Sequence, residues 1–194
     1  METVTNKLKD TRIMNINPQL FSLWVGMASI VMLFGAFTSA YIVKQGAGNW
    51  LDFPIPRLFY ISTGLIVLSS VSLHIARNMF HDGKESLYKI FLLLTLLLGL
   101  SFVGCQYFGW QEMKSYGVDL KVNVAGSFFY LITFAHAAHV VGGIAALIAT
   151  SINAFTLKFN PTESRKNRLE MVLHYWHFVD LLWIYLFIFL VYVK

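Results

Sequence analysis

Cysteine is almost missing from this chain. Cys105 stands alone inside an apolar run, so no internal disulfide can form and the thiol reads as a small buried hydrophobe. Charge is equally scarce: Asp, Glu, Lys and Arg make up 13% of the residues, against 57% hydrophobic and 16% aromatic, with a mean hydropathy of +0.61. Those proportions exclude a large water-soluble domain and describe a chain that uses lipid as its solvent. The motifs G-x-S-x-G, the P-loop and G-x-G-x-x-G are absent, as are carboxylates paired at useful spacing, so the sequence carries no signature of nucleophilic catalysis or nucleotide binding. No repeated halves or broken spans mark a secondary transporter. The net charge of +5 comes from basic residues scattered between apolar runs, so nucleic acid is not an expected partner. Met1 to Gln19 is polar and precedes a run too long for a signal-peptide core, so no cleavable leader is expected.

What the chain does have is five apolar runs. Crossing about 30 Å of hydrocarbon takes roughly 20 helical residues at about 1.5 Å each. Phe21 to Val43, Leu58 to Ile75, Ile90 to Trp110, Val124 to Leu157 and Met171 to Val193 meet or approach that length. The reading is all-α: an integral membrane bundle of five transmembrane helices over about 19–44, 56–80, 86–113, 124–157 and 167–193, in a single membrane domain spanning 1–194. Pro54-Ile55-Pro56 suits the start of the second helix but not its interior. The fourth run holds no Asp, Glu, Lys or Arg. As one helix it reaches on the order of 50 Å, so tilt or a projecting end is expected. Dividing it at Gly142-Gly143 leaves two pieces too short to span. Lys7, Lys9, Arg12, Arg77, Lys84, Lys89, Lys158, Arg165, Lys166 and Arg168 fall on one side; Lys44, Arg57, Lys114, Lys121 and Lys194 fall on the other. That bias predicts a cytoplasmic N-terminus and a C-terminus outside.

Two stretches within these runs combine histidine or acid with a patterned helix face. In the last run Asp180 is the only formal charge, and Trp176, Asp180 and Trp183 fall at i, i+4 and i+7, an aromatic face with an acid at its centre. A carboxylate at membrane depth costs a few kcal/mol on insertion scales, so this face is expected to meet protein, with His177 a neighbour three residues before Asp180. The fourth run carries a small-residue ridge, Ala138, Gly142, Ala146 and Thr150, flanked by His136 and His139. Such a ridge lets two helices approach closely in lipid. The pairs His136/His139 and His174/His177 admit a haem or metal reading, because imidazole is a common ligand. Only one carboxylate lies near them, and hydrogen-bonded packing explains them as well. Arg165, Lys166 and Arg168, in the loop from Lys158 to Glu170, suit anionic headgroups or an acidic partner loop.

Tyr175-Trp176-His177-Phe178-Val179-Asp180-Leu181-Leu182-Trp183 resembles the Y-W-H-F-V-D-x-x-W signature of subunit III of the haem-copper respiratory oxidases, with Glu170 near the acid that precedes it. Phe134 to Gly142 resembles that family's F-x-H-x-x-H segment with the glycine that follows it, after a matching Gly126-Ser127-Phe128-Phe129. Weaker similarity covers Ser69 to Gly83 and Gln106 with Trp110. The chain looks like the five-helix bacterial form, which lacks the first two helices of larger members. Two family acids are replaced: Ile30 stands where many members carry a buried glutamate, and Gly109 takes the acid position of the Gln-x-x-Glu-Trp pattern.

The resemblance implies a non-catalytic subunit of a cytochrome c or quinol oxidase in the bacterial plasma membrane. Haem and copper would reside in partner subunits. This chain would stabilise subunit I, which reduces oxygen to water, hold structural phospholipids and support proton uptake. Subunit I is the main expected partner, with subunit II, other respiratory-chain subunits and membrane lipids. Lipid contact is expected at His139, Lys158 and Trp176, and helix or subunit contact at His136, Gly142, Glu170, His177, Asp180 and Trp183. The competing readings are a haem-binding membrane cytochrome built on the two HxxH pairs and a small transporter.

Overall fold

The computed structural model describes residues 18–48, 50–118 and 123–193. Lys7, Lys9, Arg12, Lys121 and Lys194, five of the cations behind the expected orientation, lie outside the described residues. Within them there are five helices and no strand: α1 Pro18–Gly46, α2 Arg57–His81, α3 Glu85–Ser115, α4 Val124–Thr156 and α5 Glu163–Tyr192. Each is long and apolar enough to cross a bilayer.

Local chemistry sets the helix ends. The side chain of Asn123 accepts from the Ala125 backbone N–H at 2.7 Å, pairing one of the amides that a helix start leaves open. From there α4 runs unbroken through Gly142-Gly143 for 33 residues. At the end of α2, Gly83 adopts φ +74°. The Lys84 and Gly83 amides donate back to the Met79 and Phe80 carbonyls at 2.9 and 3.3 Å. This closure needs a left-handed residue, which glycine supplies without a Cβ clash. Gly117 (φ +78°) ends α3 the same way. α5 begins at Glu163 and not at 167. Hydropathy discounts this charged turn, but Glu163 and Lys166 pair across it at 2.9 Å and help extend the helix.

α2, α3, α4 and α5 form a closed ring in which each helix packs on the next and α5 returns to α2. α1 stands outside the ring, against α4 and α5. It buries a single stripe of Met27, Phe34, Thr38 and Tyr41. Thr38 shares a hydrogen bond with the Tyr185 hydroxyl at 3.1 Å, and the Tyr41 hydroxyl donates to the Val193 carbonyl at 3.0 Å. Most of the rest of α1, including Trp24, Val31, Met32 and Val43, is exposed, while Ile30 and Phe37 are half-buried against the core. An apolar face of this kind suits a helix bathed in hydrocarbon.

Candidate functional site

One face of the signature stretch of α5, with Trp176, Val179, Asp180 and Trp183, is turned into the ring, where a file of hydroxyls on α2 meets the stretch. Trp176 Nε1 donates to Ser69 Oγ at 2.9 Å, and Trp183 Nε1 donates to Thr63 Oγ1 at 2.9 Å. Beside the first of these, His177 Nδ1 and Ser70 Oγ share a short hydrogen bond. The partners descend α2 as they ascend α5, so the two helices are antiparallel here. Ser69 and Thr63 each donate in turn to a carbonyl of their own helix, Ile66 at 2.7 Å and Phe59 at 2.8 Å. The acceptors are therefore pre-oriented. Interhelical hydrogen bonds in lipid are worth about 0.6–2 kcal/mol each, and three in one seam fix the register of α5 against α2. Ser69→Ala leaves the Trp176 N–H buried and unpaired, and is expected to destabilise the subunit by about 1–3 kcal/mol in a detergent melting experiment.

Glycines make the space for Trp176. A Cβ at Gly99 of α3 would lie 2.9 Å from the indole Cη2, and one at Gly143 of α4 would lie 2.9 Å from its Cε3. The indole is clasped between two bare backbones and is 1% exposed. Expected against lipid, Trp176 is instead enclosed by protein: the face it occupies is the one α5 turns into the ring. Gly142, expected in a helix or subunit contact, is exposed within this chain, and only the Tyr175 hydroxyl comes near its missing Cβ, at 3.7 Å. The close approach belongs to the next residue, about 100° further round the helix.

Trp183 is fully buried. Its ring lies 4.9 Å from that of His136, meets Phe102 edge-on at 5.3 Å, and stacks on Phe59 at 6.1 Å. His136 has no exposed surface, and neither of its ring nitrogens has a hydrogen-bond partner among the described residues. Asp180, one turn before Trp183, is 4% exposed. The Ser70 hydroxyl is near enough to influence its carboxyl group, but neither carboxyl oxygen has a partner in hydrogen-bond geometry among the described residues. A carboxyl held this way is energetically unfavourable for the fold. A bilayer protein that retains one generally uses it.

At the end of the ring where α2 stops and α5 starts, Arg77 Nε donates to Glu170 Oε1 at 2.6 Å, and His81 Nε2 lies 3.4 Å from the same oxygen. Glu170 thus joins α5 to the last turns of α2. His174 Nδ1 donates to the Glu170 carbonyl at 2.6 Å, and His139 Nδ1 donates to the Ala135 carbonyl at 2.7 Å. His139 is half-buried with its ring 5.7 Å from Phe34, and the exposed Lys158 gives its carbonyl to Arg165 Nη1 at 2.8 Å. The two HxxH pairs do different jobs. One histidine of each bonds its own helix, while His136 packs among rings and His177 holds Ser70. Among the described residues no three His, Cys, Asp or Glu side chains gather closely enough to hold a metal. The haem-binding reading finds no support in this arrangement.

The hydroxyl file escaped the sequence reading, although its signal was present. Ser62 and Ser69, and Thr63 and Ser70, recur at seven residues, the same interval that separates Trp176 from Trp183. Gln106, whose Nε2 donates to Ser62 at 3.2 Å, extends the seam to α3.

The family model for cytochrome c oxidase subunit III matches residues 46–194, which contain the whole four-helix ring. A protein of Staphylococcus saprophyticus named probable quinol oxidase subunit 3 is 30% identical over 169 residues, 84% of this chain and 83% of the relative. One of Mycobacterium bovis, named probable cytochrome c oxidase subunit 3, is 30% identical over 168 residues, 84% of this chain and 82% of the relative. A Nocardia farcinica protein of the same name has the same identity and coverage. With five spans and bacterial relatives, this is a multi-pass protein of the plasma membrane, and it belongs to the cytochrome c oxidase subunit III family.

Proposed function

We propose that this chain is the non-catalytic subunit III of a proton-pumping terminal oxidase of an aerobic respiratory chain. It lies with its N-terminus in the cytoplasm and its C-terminus outside, and packs against subunit I, which holds haem and copper and reduces oxygen to water. Subunit II and other respiratory-chain subunits complete the complex. The observation that carries this reading is the family match across the ring. Structural phospholipids fit the cleft of about 710 Å³ between α1 and α5, whose walls include Trp24, Met27, Met32, His174 and Phe178. Lys158, exposed at the ring's end, is our candidate for contact with a headgroup there. The test is purification through a tag on this chain in mild detergent, with mass spectrometry of what remains bound. Co-purification of the other oxidase subunits is expected, and recovery of the chain alone, carrying a haem absorption band, would overturn the assignment.

Asp180 is our candidate for the link to proton uptake. Among the described residues no cation is paired with it, and the Ser70–His177 hydrogen bond lies beside it as a polar neighbour with which a proton could be exchanged. Asp180→Asn keeps the shape and removes the ionisation. The variant is expected to stay in the complex at wild-type yield while the oxidase completes fewer turnovers before losing activity. Full retention of activity over prolonged turnover would remove Asp180 from this role.

A further inference from the structure

The ring's end beside the α4–α5 loop holds a cavity of about 80 Å³, with Phe80, Tyr88, Asn153, Phe159, Arg165 and Arg168 among its walls. Two of its lining side chains are cations and none is an acid. The acids around it are taken. Glu170 is bonded to Arg77 at 2.6 Å, Glu85 to Lys89 at 2.6 Å and Glu163 to Lys166 at 2.9 Å, and Asp82 lies 3.7 Å from Lys84. Arg165 and Arg168 have no carboxylate partner among the described residues. Arg165 is held at the rim by the Lys158 and Asn160 carbonyls, which its Nη1 reaches at 2.8 and 3.4 Å. Its other nitrogens remain available. Tyr88 is 4% exposed, and its hydroxyl has no hydrogen-bond partner among the described residues. Cations without counter-charges, neutral donors and an aromatic floor together form a receptor for one small anion.

We propose that this cavity binds a phosphate group, carried by an anionic phospholipid headgroup or free in solution. Guanidinium groups fork onto phosphate oxygens with paired, charge-assisted hydrogen bonds, and a preorganised Arg165 limits the ordering cost of binding. The volume admits a single phosphate and excludes a peptide loop. The inference rests on the subunit III reading only in placing this end at the bilayer surface. The site is separate from the α1/α5 cleft and from the hydroxyl seam.

The test uses the intact complex purified through this chain. One sample is kept in nanodiscs of phosphatidylcholine with phosphatidylglycerol, and another in lipid-stripped detergent with radiolabelled inorganic phosphate. Native mass spectrometry counts retained lipid, and filter binding reads the phosphate. Arg165→Gln combined with Arg168→Gln is expected to weaken binding of one of the two probes at least about tenfold, as loss of charge-assisted bonds requires, and paired Arg→Lys changes are expected to restore part of it. Loss of phosphatidylglycerol identifies the lipid as the source, whereas loss of inorganic phosphate identifies the free ion. Asn153→Leu, which leaves the net charge unchanged, is expected to weaken the same probe and serves if the double variant fails to assemble. Equal binding of both probes by wild type and variants overturns the site, as does loss of a protein subunit with phosphate binding intact. The oxidase subunits are scored in the same samples, so failure here is distinguishable from failure of the subunit assignment.

Discussion

Gly143→Ala is expected to lower the stability of the subunit by about 1–3 kcal/mol, the usual cost of overpacking, while Gly142→Ala one residue earlier is expected to be neutral or slightly stabilising. Helix propensity alone predicts that both changes help, by about 1 kcal/mol. The difference is the slot. At Gly143 the new methyl meets the Trp176 ring at 2.9 Å and the Tyr175 ring at 3.3 Å, whereas at Gly142 it finds only a hydroxyl at 3.7 Å. Trp176 cannot retreat, because Gly99 bears on the far edge of the ring and Ser69 holds its nitrogen. The check is a pair of melting curves in detergent, with Gly143→Ala/Trp176→Phe as a third sample expected to recover part of the loss. If Gly142→Ala proves the damaging change, the register of α4 against α5 given above is wrong.

A larger effect is expected from Gly109→Glu, which restores the acid of the family's Gln-x-x-Glu-Trp pattern. In this chain the space is filled: a Cβ at Gly109 would lie 2.6 Å from Phe59 Cε2, and the ring's Cδ2 and Cζ follow at 3.1 Å. Phe59 is 1% exposed, stacks on Trp183 at 6.1 Å and packs edge-on against Phe129 at 5.5 Å. The glutamate must therefore displace a core ring and leave a carboxylate among apolar neighbours, at a cost of several kcal/mol. Gly109→Glu is expected to abolish accumulation of the subunit in the membrane, measured by quantitative blotting. Phe59→Ala in the same chain makes room and is expected to bring part of it back. Normal levels of the single variant would show that Phe59 does not fill the acid's place.

How far the sequence can be read depends on what each feature requires. Span number and type needed only the length and apolarity of five runs, which survive any detail of packing. The unbroken α4 followed from the same arithmetic, since halves of about 15 residues cannot cross the hydrocarbon. The aromatic face of α5 was correctly expected to meet protein, because Asp180 sits in it. Trp176 belongs to that same face, so the lipid contact that the family resemblance implied for it conflicts with the helical periodicity, and its burial in the ring sides with the periodicity. Inside this chain the ridge through Gly142 does not carry the closest helix approach, for a related reason. Small residues four apart mark a place where close approach is possible, but the approach occurs where an indole from another helix arrives, at Gly143 and at Gly99. The early start of α5 lay in charged residues that a hydropathy window discounts.

The antiparallel pairing of α5 with α2 also bears on biogenesis. The hydroxyls of α2 leave the ribosome about a hundred residues before the tryptophans that they will bind. Until α5 arrives, Ser69, Ser70 and Thr63 must wait in the bilayer with only their own helix or the insertion machinery to satisfy them. The ring is thus closed only when α5 arrives, and release of the nascent chain before that point leaves an open ring for membrane proteases.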